Sequence, residues 1–90
     1  MNAADIKAAA ARVIAKGDGN LGRYKAFVAP LAQELGVDVE TLKHQLLDMH
    51  RNGEIELSRC DLQADYRELV RESEISYLGL ATYHLVRVSG

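Results

Sequence analysis

Four side chains in this sequence could hold a soft metal ion: His44, His50, Cys60 and His84. None has the close paired spacing of a zinc site, and His44 and His50, six apart, fall on different faces of any helix that carries both. Exposed or hydrogen-bonded histidines and a small packed cysteine are the expected reading. Nucleophilic catalysis finds no better footing. Ser58, Ser73, Ser76 and Ser89 sit in no glycine-flanked elbow, and Cys60 has no histidine partner that the sequence assigns. Carboxylates are plentiful but scattered over faces that should meet water, so no acid–base pair stands out. The glycine-rich run GDGNLG, residues 17–22, lacks both the Lys-Ser/Thr ending and the preceding strand of a phosphate loop, and reads as a plain loop. The expectation is a chain that is not an enzyme, with no catalytic residue, metal, cofactor or small-molecule ligand.

Recognition is the chemistry that remains, and the stretch from Phe27 to Gly53 is built to present it. Residues 30–35 are expected as a short helix opened by Pro30, whose fixed φ suits a first helical position, with Leu31, Ala32 and Leu35 on one face. Gly36 stops it. Asp38 offers a carboxylate to the first turn of the next helix, residues 38–52, in which Val39, Leu42, Leu46 and Met49 recur at helical spacing as a buried stripe. The opposite arc then holds Glu40, His44, Leu47, Asp48 and Arg51, flanked by Lys43 and His50.

The run LAQELGVDVETLKHQLLDMHRNGEIEL resembles the core of winged helix-turn-helix domains, with Ala32, Gly36, Val37, Leu42, Leu46, Met49, Gly53 and Ile55 at the small, turn and apolar positions. The resemblance covers roughly a third of the chain and speaks more for fold than for function. It implies an α+β winged helix-turn-helix fold: a three-helix core, a small antiparallel β-hairpin wing, and a recognition helix at 38–52 that enters the major groove of double-stranded DNA. On that footing Lys43 and His44 would reach base edges, Thr41, Arg23 and Lys25 would meet phosphates, and Arg51 would add a cation. Arg59 or Arg67 would serve as the wing contact. A DNA-binding domain of a transcriptional regulator or a DNA-processing system is the leading expectation. Glu40 and Asp48 on the arc depart from the pattern, because carboxylates repel phosphates. Leu47 among polar neighbours is the layout of a protein-binding helix, so the alternative is a protein-interaction or dimerisation module using Leu47, Tyr77 and Leu78.

Bulk properties agree with a single small domain over residues 1–90. Hydrophobic residues make up 48% and charged residues 27%, an ordinary globular balance. A lone cysteine fits a reducing compartment, and with no apolar run near the roughly 20 residues that span a bilayer, a cytoplasmic protein without membrane contact is expected. Net charge is −2, but it is unevenly spread. Residues 1–25 carry Lys7, Arg12, Lys16, Arg23 and Lys25 against Asp5 and Asp18, whereas the segment from Glu54 onward is acidic.

The remaining elements follow from local patterns. Residues 3–16 are alanine-rich with Ile6, Ala9, Ala10, Val13 and Ile14 as a core stripe, a first helix stopped by Gly17. Tyr24 to Val28 has the make-up of a short strand. Residues 54–59 alternate with Ile55 and Leu57 inward, and 82–88 are β-branched and aromatic; together they are expected as the wing strands. Between them a short inserted helix is expected at 66–72, started by Asp65 and Glu68 as a capping-box-like pair. Gly79 allows a turn, and Tyr77, Leu78 and Leu80 point to packing or a dimer contact.

Overall fold

In the computed structural model, which describes residues 1–88, the first helix, α1, spans Ala3–Lys16. Asn2 and Asp5 start it by exchanging hydrogen bonds: the Asp5 N–H donates to Asn2 Oδ1 at 2.9 Å, and the Asn2 N–H to the Asp5 carboxylate at 3.4 Å. Ile6, Ala9, Ala10 and Val13 are buried as the stripe requires, and the alanines let the helix at Val28–Leu35 pack closely. Ser89, one of the serines weighed above, and Gly90 lie outside the described residues.

The loop after α1 holds a short strand that the sequence did not announce, β1 at Asn20–Leu21, antiparallel to β2 at Lys25–Phe27. Gly19 matters here for a steric reason. A Cβ at this position would sit 2.4 Å from Pro30 Cγ, so the backbone passes where no side chain fits.

Helix α2 spans Val28–Leu35 and begins two residues before Pro30, which is third rather than first in the helix. The difference has a clear cause. First-turn amides have no intrahelical acceptor. Here the Val28 N–H donates to the His84 carbonyl at 3.1 Å and the Ala29 N–H to Ser73 Oγ at 3.0 Å. Pro30 has no N–H to satisfy, so it costs nothing at that place. Gly36, at φ 68°, ends α2, and the Val37 N–H closes back on the Ala32 carbonyl. Asp38 caps α3, Val39–Arg51, accepting from the Thr41 N–H at 3.0 Å. Leu42 and Leu46 are fully buried, and Val39 and Met49 pack half-buried against the same core.

The C-terminal part corrects the expected two-strand wing. Residues 54–59 yield β3 at Glu56–Ser58, but 82–88 do not form one strand. They divide at His84 into β5, Ala81–Tyr83, and β6, Leu85–Arg87. Between β3 and β5 come α4, Arg67–Ser73, and β4, Ile75–Tyr77. The expected inserted helix is therefore present one residue later, although Asp65 does not cap it: Tyr66 stands at its start without a side-chain hydrogen bond. β4 and β5 form a separate hairpin, Ile75 opposite Tyr83. Leu78 and Gly79 both take positive φ at its turn, 50° and 69°, and the Leu80 N–H donates to the Tyr77 carbonyl at 2.8 Å.

The main sheet runs β1-β2-β6-β3, antiparallel throughout, with Ala26, Val86 and Leu57 in register across the last three strands. Alternation gives this sheet two faces. Ala26, Val86 and Leu57 join Ile6, Leu31, Leu42 and Leu46 in the main core beneath α1, α2 and α3. Phe27 and Leu85 point the other way and, with Cys60, form a second cluster covered by Tyr66, Leu69 and Val70 of the α4 segment. The Phe27 and Tyr66 rings lie 5.4 Å apart. Each fully buried leucine or isoleucine of the main core contributes about 1.5–3 kcal/mol by leaving water. The molecule is thus an α+β fold of four helices and small antiparallel sheets among the described residues. None of these helices is long and apolar enough to cross a membrane.

Candidate macromolecular interface

Helix α3 turns Glu40, Thr41, His44, Asp48 and Arg51 to solvent, and this arc is the first part of the candidate surface. Its cations are largely engaged. Lys43 Nζ lies 3.0 Å from Glu40 Oε2, and its side chain is only 15% exposed. The Arg51 guanidinium stacks over the Tyr77 ring, 5.6 Å from its centroid, which fastens the β4–β5 hairpin to the end of α3. The Thr41 hydroxyl donates to Asp38. His44 is exposed, as are Glu40 and Asp48.

Leu47 is corrected. It is not a free apolar anchor on the arc: it is half-buried and packs against the main core. The arc is narrower than simple 3.6-residue periodicity implies, because Leu47 joins the buried side. His50 is the residue that periodicity undervalued. Its Nδ1 accepts the Leu57 N–H at 3.2 Å and its ring packs on Tyr83 at 4.9 Å, joining the end of α3 to β3 and β5. Only a histidine close to a predicted helix end hinted at this.

The hairpin supplies the second part of the surface. Tyr77 is half-buried under Arg51, whereas Leu78 and Leu80 at the tip are 81% and 84% exposed. From Ser76 to Thr82 there is no cationic or anionic side chain. An uncharged tip with two projecting leucines offers nothing for a phosphate, and apolar area for something else.

The other expected cations lie elsewhere. Arg23 is exposed in the turn between β1 and β2, and half-buried Lys25 faces Arg87 across β2 and β6. That edge of the sheet is opposite β3, the strand that α3 touches, so Arg23 and Lys25 do not share the α3 face. Arg12 and Lys16, part of the basic N-terminal charge, both pair with Glu34, at 2.8 Å for Arg12. These two cations hold the Glu34 carboxyl below its ordinary pKa, Lys16 first and Arg12 second.

Arg59 belongs to a third place. With Arg67, Arg71, Glu74 and His84 it lines a concavity of about 490 Å³ between α4 and the β5–β6 junction. His84 is 2% exposed, and its Nδ1 accepts the Cys60 N–H at 3.0 Å. Burial pushes the His84 pKa below its ordinary value; Glu74 opposes that shift and Arg59 adds to it. No group of three or more His, Cys, Asp and Glu side chains suited to a metal gathers among the described residues.

Comparison of the chain with protein-family models, curated proteins and solved structures gave no match.

Proposed function

We propose that this chain is a winged helix that works as a protein-docking module through the β4–β5 tip and the adjoining arc of α3. The winged-helix reading is supported by the order of parts: helix, two short strands, helix, turn, helix, then the strands β3 and β6, of which β6 lies between β2 and β3. The insertion carrying α4 and the hairpin replaces a simple wing. The observation that carries the docking role is the pairing of two surfaces: Leu78 and Leu80 stand out at an uncharged tip, and the end of α3 that the hairpin meets exposes Asp48 and Arg51. An apolar anchor beside a charged rim is the layout of a protein interface. The matching partner is a protein that offers an apolar pocket with charged side chains of both signs at its rim.

A photo-crosslinking residue in place of Leu78, introduced in the cells of origin, tests this. A single discrete protein adduct that Leu80→Asp abolishes is expected, while the same probe at Lys7 gives none. Adducts of equal pattern at both positions would contradict it. An adduct of twice the chain mass would identify the partner as a second copy.

The second reading is binding to double-stranded DNA in a regulatory or DNA-processing role. It draws on the exposure of Thr41, His44 and Arg51 on the second helix of a helix-turn-helix. Against it stand the Glu40–Lys43 pair, the stacking of Arg51 on Tyr77 and the separation of Arg23 and Lys25 from this face. Duplex affinity depends on several cations releasing counterions together, and the α3 face does not gather them.

A further inference from the structure

We propose that the concavity between α4 and the β5–β6 junction binds a small phosphate monoester, gripped by Arg59, Arg67 and the Nε2–H of His84.

The donors come from three separate elements. Arg59 follows β3, Arg67 opens α4, and His84 sits between β5 and β6; all three line the same concavity. Neither Arg59 nor Arg67 has a carboxylate within ion-pair distance among the described residues, whereas Arg71 is held by Glu68 at 2.6 Å. Two free guanidinium groups facing one cavity have the fork geometry and charge for a phosphoryl group.

His84 makes this more than a patch of surface charge. Its backbone is fixed on both sides: the N–H donates to the Ser58 carbonyl at 2.9 Å, and the carbonyl accepts from Val28. Its Nδ1 accepts the Cys60 N–H, so the neutral ring carries its proton on Nε2. The ring's one hydrogen bond among the described residues is made through Nδ1, which leaves Nε2–H for a ligand in the concavity that His84 lines. A histidine that is 2% exposed and held through Nδ1, lining the same concavity as two cations, is a site rather than a loose cluster.

Glu74 defines the ligand further. It faces the same space and repels a bare anion, but accepts a hydrogen bond from a hydroxyl or ammonium group. At about 490 Å³ the concavity is also far larger than a phosphate alone. Val70 and Ala64 give it apolar wall. The ligand class that meets all three features is a phosphate monoester whose organic part carries a hydrogen-bond donor.

O-phosphoethanolamine, a phosphate monoester with an ammonium group, is the probe, titrated into the whole chain by NMR. Inorganic phosphate, ethanolamine and a mixed duplex DNA are titrated in parallel. Saturable shifts at the His84 ring and at the Arg59 and Arg67 side chains are expected with O-phosphoethanolamine, weaker ones with inorganic phosphate, and none with ethanolamine. Arg59→Gln and Arg67→Gln should each weaken binding about tenfold, and Arg71→Gln less than about twofold, because Arg71 is already paired. These arginines are exposed, so the variants retain the fold. Absence of saturable shifts with either phosphate would overturn the proposal, as would equal losses in all three variants. Duplex DNA displacing the monoester from the same arginines would also overturn it, making the cavity a contact for nucleic-acid backbone.

Discussion

The two faces of the β1-β2-β6-β3 sheet are finished in different ways. The inner face rests on three helices, and its contacts form the large cluster from Ile6 to Val86. The outer face has a much smaller cluster, Phe27, Cys60 and Leu85, roofed by the seven-residue α4 and its flanking Tyr66. Stability resides in the first face. The second, with polar ties between Ser73, His84 and the start of α2, orients the hairpin and the arginine-lined concavity. Helix length, apolar stripe and capping secure the inner face; specific hydrogen bonds secure the outer one.

The sharpest way to expose that difference is to remove a leucine from the inner face. Leu46→Ala should cost about 2–5 kcal/mol and lower the melting of every element together, as thermal unfolding followed by circular dichroism will read. Tyr66→Ala should instead raise hydrogen exchange in α4 and β4–β5 and leave α1 and α3 protected. Uniform loss of protection would mean that the two faces form one cooperative unit.

A smaller effect is expected at the tie between them. Ser73→Ala leaves the Ala29 N–H without its acceptor and should cost about 1–2 kcal/mol by urea unfolding, with Ser73→Thr costing less if its hydroxyl keeps the bond.

The next prediction concerns pH. His84 has its pKa lowered in the fold relative to an ordinary 6.5, chiefly by burial. As pH falls below about 6.5, the unfolded chain binds the proton before the folded one, so the folded state loses stability until the pH passes below the folded pKa. Stability should therefore be fully present above that ordinary value and decline on acidification. His84→Gln, which can still accept the Cys60 N–H, should remove this part of the decline. An unchanged pH profile in that variant would show that His84 does not report on the outer face.

The smallest effect has the opposite sign. Leu78 is the one non-glycine residue with positive φ among those described, a conformation that costs a side-chain-bearing residue about 1–2 kcal/mol. Leu78→Asn should stabilise the chain by about 0.5–1 kcal/mol in thermal melts while removing apolar area from the tip. A strained leucine that is nearly all exposed is better explained by contact than by folding. A destabilised Leu78→Asn would show that its side chain supports the hairpin instead.

The inner face was legible in the sequence because each of its signals is local. The alanine stripe of α1, Gly36, the Asp38 cap and the Leu42–Leu46 spacing each stand within one or two helical turns, and the helices follow from them. β3 followed from alternation around Leu57. The outer face resisted because its determinants are distant. α2 begins at Val28 on account of Ser73 and His84, residues far along the chain, and 82–88 splits because His84 turns the chain from the hairpin to the main sheet. Leu47 looked free because its packing against the main core depends on how α3 sits in the fold, which helical spacing alone does not give. The mixed charge of the α3 arc follows from the sequence, yet the engagement of Lys43 and Arg51 depends on side-chain geometry that spacing alone does not give. Arg59 and Arg67, either of which was expected as a wing contact, line one concavity with His84, a meeting that required the fold of residues 59–84.

Whether the α3 arc and hairpin tip serve a protein or a nucleic acid is decided most directly by fluorescence polarisation with mixed duplex DNA at two salt concentrations. Comparison of the native chain with the Lys43→Ala, Arg51→Ala double variant completes the measurement. The protein-docking account predicts weak binding that the double variant leaves unchanged at both salts. Tight binding with a steep salt dependence, lost when those two cations are removed, would contradict it.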